Sequence, residues 1–314
     1  KTRQLSHAAQ EAYEPTVIAI SEQQFLFAWE QDQKLWLATG NHKQIANPVL
    51  LDSHTSSQVS LTMTPGGKLF ACWIQLNPPH RQVVVSNINL SSKQPVVSQP
   101  IIVDKNSLPR RQSYPSLAAT QQGIAVGWED RQHGHTRIYT SFSTDGKNFT
   151  RKQVLNDFVP PQNTKYGRGT GATRVALSSD NKNTVVASWM DKRDFLGGYD
   201  IYAAISTDAG KSYNKNEIVQ DMLGENQPQW HPAVAISPEG KVYVAWDDPR
   251  DDSPDIWLSE RLKTEWSEDQ LVEPASGDGP QTNPSIIFGP TERLHMVWIE
   301  QKSTGTILRY ASQQ

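Results

Sequence analysis

The sequence lacks the features that identify several common classes of protein. It has a single cysteine, Cys72, among 314 residues, so no disulfide can form within the chain. No apolar run approaches the roughly 20 residues of a membrane-spanning helix, and no signal peptide is visible at Lys1. The formal net charge is -3, with Lys and Arg scattered along the chain, so there is no basic surface for nucleic acid or anionic lipid. We therefore expect no membrane insertion and no nucleic-acid partner.

Linker-like and low-complexity segments are also absent. A chain of 314 residues would suit two average domains, but closed all-β architectures commonly use this length as one. Cys72 lies in FACW beside a tryptophan, where we interpret it as a small buried hydrophobe rather than a nucleophile. We expect a single domain over residues 1–314.

What the sequence does contain is a pattern that recurs. The segment Ser188–Tyr213 reads SWMDKRDFLGGYDIYAAISTDAGKSY, and its elements return in the same order in Gly127–Phe149 and Ala245–Trp266. Fainter versions surround Trp29, Trp73 and Trp298. The six tryptophans are 44, 55, 61, 57 and 52 residues apart, which is the period of propeller blades rather than of helical repeats.

Each repeat also carries the strands of a blade. A short apolar strand opens it, and a second strand such as VYVAW, IAVGW or VVASW is apolar on both faces, as expected for a sheet packed between two neighbours. Third strands such as DIYAAIS and fourth strands such as NEIVQD follow. The tryptophan is then predicted to pack between blades.

We therefore predict an all-β, six-bladed β-propeller of four-stranded blades. The predicted blades cover approximately residues 12–52, 53–104, 110–157, 166–221, 226–274 and 280–314. The last repeat ends at RYASQQ without a fourth strand, whereas the N-terminal TRQLSHA has the pattern of one. We expect residues near 3–8 to complete the sixth blade and close the ring, which removes exposed sheet edges.

One turn of the repeat carries a family resemblance. STDAGKSY at Ser206–Tyr213 matches the pattern Ser-x-Asp-x-Gly-x-x-aromatic, in which Asp208 accepts hydrogen bonds from turn amides and Gly210 permits an unusual φ. Ser143–Phe149 is one residue shorter, and Ser259–Trp266 has lost the Asp and Gly. In register with the blade repeat, these turns resemble the Asp-box (BNR-repeat) turns of the sialidase-like β-propeller superfamily.

The resemblance implies which face of the ring is functional. In sialidase-like proteins these boxes join the third and fourth strands on the face opposite the active site. Sialidases of this fold use three Arg on the substrate carboxylate, an Asp acid-base and a Tyr-Glu nucleophile pair, with one Arg in an Arg-Ile-Pro signature. The corresponding stretch here is Tyr13–Pro15, which has no Arg, so we do not expect true sialidase activity.

Charged residues recur after three of the tryptophans, and two interpretations are open for them. Pairing within each loop is one, and a ring of charges that binds a polar ligand on a rigid scaffold is the other. We retain all six as candidate ligand-binding residues: Asp130 with Arg131, Asp191 with Arg193, and Asp248 with Arg250.

Residues that break the repeat are the stronger candidates. Four first strands begin with Pro, preceded by Glu14, Tyr114, His231 and Asn283, and the fourth repeat has Arg174 in place of Pro. Arg174 would hold a carboxylate, sulfate or phosphate, or else pair with a nearby acid such as Asp191. Its neighbours Tyr166 and Arg168, and Trp230 beside His231, are further candidate binding residues.

We predict acid-base roles for three of these residues. His231 is the most credible general base, with a structural histidine as the alternative. Tyr114 would donate a proton or stack on a sugar. Glu14 with Asp191 or Asp248 would form the carboxylate pair of a glycosidase.

Metal-ion sites are weighed at two places and not adopted. Asp247–Asp255 contains five carboxylates that could hold Ca²⁺, but the spacing of a known calcium loop is absent and a solvated loop is favoured. His133 and His135 lack a third ligand. We expect no cofactor.

The predicted function is recognition of a glycan, acidic or neutral, at the central mouth of the functional face. Whether it is an enzyme stays open; glycoside hydrolase and lyase chemistry both fit. The alternative is a non-catalytic scaffold whose rim binds a protein partner. We expect export from a bacterial cell, to the periplasm or the medium.

Overall fold

The computed structural model describes residues 6, 11–91, 94–106, 110–132, 134–158, 171–193, 197–222, 227–289 and 291–313. These residues form six antiparallel sheets whose first strands surround a common axis, so the predicted six-bladed β-propeller is confirmed. A short 3-10 helix at Glu273–Ala275 follows the last strand of the fifth blade. Within the described residues there is no helix with the length and apolar character to cross a bilayer.

Each blade is built from hairpins in chain order. The first blade contains β1 (Ala12–Ser21), β2 (Gln24–Gln31), β3 (Lys34–Gly40) and β4 (Val49–Leu50). The second contains β5 (Ser56–Met63), β6 (Leu69–Asn77), β7 (His80–Asn89) and β8 (Val96–Val97), with β9 (Ile101–Ile102) also paired to β7. The third contains β10 (Gln112–Thr120), β11 (Gly123–Asp130), β12 (Arg137–Ser143) and β13 (Gln153–Val154).

The last three blades repeat this order. The fourth contains β14 (Gly171–Ser179), β15 (Val185–Lys192), β16 (Asp200–Ser206) and β17 (Glu217–Ile218). The fifth contains β18 (Trp230–Ile236), β19 (Val242–Asp251), β20 (Ser253–Glu260) and β21 (Gln270–Leu271). The sixth contains β22 (Gln281–Phe288), β23 (Leu294–Lys302) and β24 (Gly305–Ser312).

The sixth blade has three strands within the described residues. The N-terminal segment that we predicted as its fourth strand, residues 3–8, lies outside the described residues except for Ser6. Closure of the ring by that segment therefore stays a prediction.

The core lies between blades, as the two-sided apolar strands predict. Five of the repeat tryptophans are buried and share an apolar cluster with side chains of the preceding blade, as predicted: Trp73, Trp128, Trp189, Trp246 and Trp298. Cys72 is buried in the same layer, and burial raises the pKa of its thiol. The tryptophans and Cys72 are therefore structural.

The Ser206–Tyr213 turn has the predicted hydrogen bonds. The Asp208 carboxylate accepts the backbone N–H groups of Lys211 and Ser212 at 3.1 and 2.9 Å, and the Ser206 hydroxyl accepts that of Gly210 at 2.8 Å. Gly210 has φ +88°, and a side chain there would lie 2.6 Å from the Cβ of Ala125. The turn joins β16 to β17 and packs on the third blade.

Neighbouring blades are also joined by reciprocal hydrogen bonds near their fourth strands, which we call inter-blade clasps. In one clasp the backbone N–H of Asp157 donates to Asn216, and that of Asn216 donates to Asp157. In the next, Asp221 and Asp269 are bonded in the same way. The two clasps have the same geometry but differ by one charge.

We call the end of the ring where the first strands begin, and where the second strands turn into the third, the upper face. The turns between third and fourth strands lie at the other end.

Candidate active site

One residue near the start of each first strand has a left-handed backbone. The φ angles are between 48° and 59°, and the residues, here called the axial ring, are Glu14, Gln58, Tyr114, Arg174, His231 and Asn283. This conformation costs a non-glycine residue about 1–3 kcal/mol. The same conformation recurs at the equivalent position of all six blades, so it is a regular feature of the ring.

The backbone cause is a bulge in every first strand. The pairing of the first and second strands skips two residues at each axial-ring position, for example between Ser113 and Ser116 and between Thr173 and Ala176. The second skipped residue is Pro in four blades and Val in the other two, Val59 and Val175. The sequence alignment of Arg174 with the prolines is therefore wrong by one residue: Arg174 corresponds to the residue before Pro.

The axial ring surrounds one cavity at the upper face. Its volume is about 270 Å³, and all six axial-ring residues line it, together with the Pro or Val that follows each of them except Glu14. This volume is near the lower end of small-molecule sites, so the cavity suits a small ligand rather than a long segment of chain. Of the predicted site residues, the structure brings together Glu14, Tyr114, Arg174 and His231; it adds Gln58 and Asn283.

Arg174 is held from two sides. Its guanidinium carbon lies 3.9 Å from the centre of the Tyr114 ring, a stacking that leaves the N–H edges of the guanidinium available to a ligand. Its backbone N–H donates to the buried Glu129 carboxylate at 3.2 Å, and the Thr173 hydroxyl donates to the same oxygen. The Tyr114 backbone N–H donates to Gln58 at 2.9 Å.

His231 is oriented by a buried carboxylate. Its Nδ1 lies 2.8 Å from Asp247 Oδ1, and the backbone N–H of Asn283 donates to the same oxygen at 2.9 Å. With Nδ1 carrying the proton toward Asp247, Nε2 is left with a free lone pair. Asp247 thus fixes the imidazole and also the next residue of the axial ring.

Three carboxylates follow the repeat tryptophan in alternate blades, and sequence analysis missed their role. Glu30, Glu129 and Asp247 lie in blades one, three and five, and the other blades have Ile or Met there. Each accepts a backbone N–H of the axial-ring residue in the next blade. Burial raises the pKa of both glutamates, although the hydrogen bonds from the backbone act to lower it. The alternation is visible in the sequence, but its meaning requires contacts between blades.

An aromatic pair lies beside the cavity. Trp230 is 36% exposed, and its ring centre lies 5.3 Å from that of Tyr199 and 6.4 Å from that of His231. Trp230 was a predicted binding residue, whereas Tyr199 was not recognised. Exposed aromatic faces of this kind are suited to the apolar face of a sugar ring.

The repeated Asp–Arg residues lie elsewhere. Asp191 is 3.2 Å from Arg193 and Asp248 is 2.5 Å from Arg250, and both carboxylates are fully buried. The equivalent Asp130 is also buried and lies 3.8 Å from Lys152, the residue before β13, rather than beside Arg131. None of these residues lines the axial cavity, and neither Asp191 nor Asp248 joins Glu14 there as a carboxylate pair.

Other predicted site residues have separate outcomes. Tyr166, Arg168 and His133 lie outside the described residues. The expectation of a solvated loop at Asp247–Asp255 is wrong, because this segment is the hairpin of β19 and β20 and three of its carboxylates are buried. Asp247 is bound to His231, Asp248 to Arg250 and Asp255 to the backbone of Gly277, so these carboxylates do not converge. Across the described part of the chain, no group of three or more His, Cys, Asp or Glu side chains is arranged to hold a metal ion.

The fold is similar to that of several solved structures. The GH93 α-L-arabinofuranosidase of Fusarium graminearum, solved with arabinobiose, has a TM-score of 0.66 at 11% identity, over 96% of this chain and 92% of that one. The α-L-arabinanase of Penicillium chrysogenum, also solved with arabinobiose, has 0.54 at 14% identity, over 80% and 78%. The Trypanosoma rangeli sialidase with the inhibitor DANA has 0.56 at 10%, over 96% and 54%.

No protein-family model matches the chain, and no curated protein sequence matches it. At these identities the structural likeness concerns the fold. The chain therefore has the sialidase-like β-propeller fold that the Ser206–Tyr213 turn and the tryptophan period predict.

Proposed function

We propose that the protein binds an acidic carbohydrate, with one carboxylate-bearing sugar residue in the axial cavity. The observation that carries the proposal is the axial ring itself, in which six different polar side chains line one cavity on the same strained backbone. Strain of this kind persists where the surrounding structure maintains it, and it is concentrated at binding and catalytic sites.

Arg174 is the residue that recognises the carboxylate. Stacking on Tyr114 occupies the face of its guanidinium, so the planar edge is free to bind two oxygens at once. The single carboxylate of the ring, Glu14, comes from the blade three positions away, on the opposite side of the axis. An anionic ligand is therefore favoured on the Arg174 side.

The surroundings suit a sugar. Gln58 and Asn283 supply amide donors and acceptors for hydroxyl groups, and Trp230 with Tyr199 presents aromatic surface next to His231. Solved proteins of the same fold have been captured with arabinobiose and with a sialidase inhibitor. A glycan ligand also agrees with our expectation that the protein is exported.

The test is binding on an array of neutral, uronate, sialylated and sulfated glycans. We expect selective binding of carboxylated glycans, reduced at least tenfold in Arg174→Ala, because a charge-assisted bidentate contact contributes about 1.5–3 kcal/mol. The matched control is Arg293→Ala, which removes an exposed guanidinium from the turn at the opposite end of the ring.

Two results would contradict the proposal. Equal binding by wild type and Arg174→Ala would show that the cavity is not the site. Absence of binding to every glycan would favour the alternative, a scaffold for a protein partner.

A further inference from the structure

We propose that the axial cavity catalyses β-elimination at a 4-linked hexuronate residue, with His231 as the base that removes the C5 proton. This reaction class goes beyond glycan binding, and it rests on the proposed function because it needs the carboxylate held by Arg174.

The carboxylates of the site do not suit glycoside hydrolysis. Hydrolysis by the usual route needs two carboxyl groups on either side of the glycosidic bond. Among the described residues that line the cavity, Glu14 is the single carboxylate. The nearby Glu129 and Asp247 are buried, and each accepts a backbone N–H group of the axial ring. They hold the site together and are not presented to a ligand.

His231 has the arrangement of a general base. Its Nδ1 is bound to Asp247, which leaves Nε2 as an acceptor, and the ring is partly exposed where it lines the cavity. Asp247 would also stabilise the imidazolium that forms when Nε2 takes a proton.

The three groups are adjacent around the ring, as the carboxylate, C5 and C4 are adjacent in the substrate. Tyr114, Arg174 and His231 come from three consecutive blades, with Arg174 in the middle. In a hexuronate the carboxylate is attached to C5, which bears the proton to be removed, and the leaving oxygen is on the adjacent C4. A base and an acid on either side of the carboxylate receptor can therefore reach both atoms.

Each of the three side chains carries out one part of the elimination. Arg174 neutralises the carboxylate, which stabilises the negative charge that develops when C5 loses its proton. His231 Nε2 takes that proton, and the C–H electron pair becomes the C4–C5 double bond. The C4–O bond breaks with its electrons on oxygen, which takes a proton from the Tyr114 hydroxyl. Exchange with solvent then returns both residues to their starting states, and no water is added to the products.

The experiment uses the full chain with five uronate polymers: polygalacturonate, alginate, glucuronan, hyaluronan and heparin. We expect at least one to give an unsaturated product, seen as near-ultraviolet absorbance and as product masses without added water. His231→Ala should lower the rate at least a hundredfold while binding is retained, as general-base catalysis contributes about 10²–10⁴-fold. Asp247→Asn should lower kcat more than it changes KM, because it removes the group that orients the base.

The protein supplies a matched control. His54 forms the same 2.8 Å contact with a buried aspartate, Asp52, but does not line the axial cavity. His54→Ala should therefore leave the rate unchanged.

The outcomes separate this inference from the proposed function. Binding of a uronate polymer without an unsaturated product from any of the five would overturn the elimination and leave the binding proposal intact. Incorporation of oxygen from labelled water would show hydrolysis instead, and full activity in His231→Ala would exclude it as the base. No binding to any carboxylated glycan would overturn both.

Discussion

The two sets of polar residues at the upper face follow opposite rules. The Asp–Arg groups recur in three blades, and their carboxylates are buried beside a basic side chain, which is Lys152 for Asp130. The axial ring keeps its backbone from blade to blade, but its six side chains all differ and share one cavity. In this protein a repeated side chain supports the blade, whereas a repeated backbone with varied side chains presents a site.

The largest expected effect tests the structural side of this comparison. Asp248→Ala leaves the guanidinium of Arg250 with Asp269 alone and removes the acceptor of the Trp246 indole, so we expect a loss of about 3–5 kcal/mol in the free energy of unfolding. Denaturant unfolding measures it. Asp251→Ala, in the same loop but exposed, should change stability by less than about 0.5 kcal/mol. Equal effects would contradict the structural role.

The next effect concerns Gly210, which lies in the turn between β16 and β17 at the end of the ring opposite the axial cavity. Gly210→Ala places a methyl group 2.6 Å from Ala125 and forces a side chain to φ +88°, so we expect destabilisation of about 2–4 kcal/mol. Gly240 has a similar φ of +91° with open space around it, and Gly240→Ala should cost only about 1 kcal/mol. Thermal unfolding of the two variants separates strain from crowding. Binding should be unaffected in both, since neither residue is near the cavity.

A third effect depends on pH. Burial, with Asp221 alongside, raises the pKa of Asp269 to about 7 despite the contact with Arg250. The unfolded carboxyl has a pKa of about 3.9, so this group's stabilisation is complete below about pH 4 and is lost as pH rises through 7. Asp269→Asn keeps the oxygen that accepts the Asp221 N–H. We expect it to be more stable than wild type at pH 8 and equal to it near pH 4.

The neighbouring clasp provides the reverse substitution. Asn216 occupies the position of Asp269, and Arg193 donates to it at 2.8 Å as Arg250 does to Asp269. Asn216→Asp should therefore introduce a decline in stability with pH. Melting temperatures across pH 4–8 test both variants, and parallel profiles for wild type and Asp269→Asn would refute the assignment.

The smallest expected effect tests the functional side. Glu14 is exposed and has φ 48°. Glu14→Gly therefore relieves backbone strain without removing a buried side chain. We expect stability to change by at most about 1 kcal/mol, toward a more stable protein, because glycine adopts this backbone freely. Affinity for the carboxylated glycan should nevertheless change. A large loss of stability would mean that the axial ring is structural as well.

The sequence predicted the fold because its signals are local. The strand pattern around each tryptophan and the Ser206–Tyr213 turn each depend on residues close in the chain, and the period is the repetition of that local pattern. The site was predicted in part for the same reason: Pro marks Glu14, Tyr114 and His231, since it disfavours a right-handed helical conformation in the preceding residue. Gln58 has Val after it and was missed, and Arg174 was placed one residue out of register.

The remaining features depend on contacts between blades or across one blade. Glu129 binds the backbone of Arg174 in the next blade, 45 residues later, and within the third blade Asp130 contacts Lys152, the residue before β13. Residues that are adjacent in sequence gave no sign of either contact. Asp130 and Arg131 were predicted to pair because they are adjacent in the sequence, but in the structure Asp130 contacts Lys152 instead.

The bulge of the first strand separates the backbone of the axial ring from its side chains. The left-handed conformation recurs with six different side chains, although some of those side chains are linked across blades, as Gln58 is to Tyr114. The chemistry of this cavity is therefore set by side chains that lie outside the hydrophobic layers between the blades, so it can differ without a change in the packing that holds the ring together.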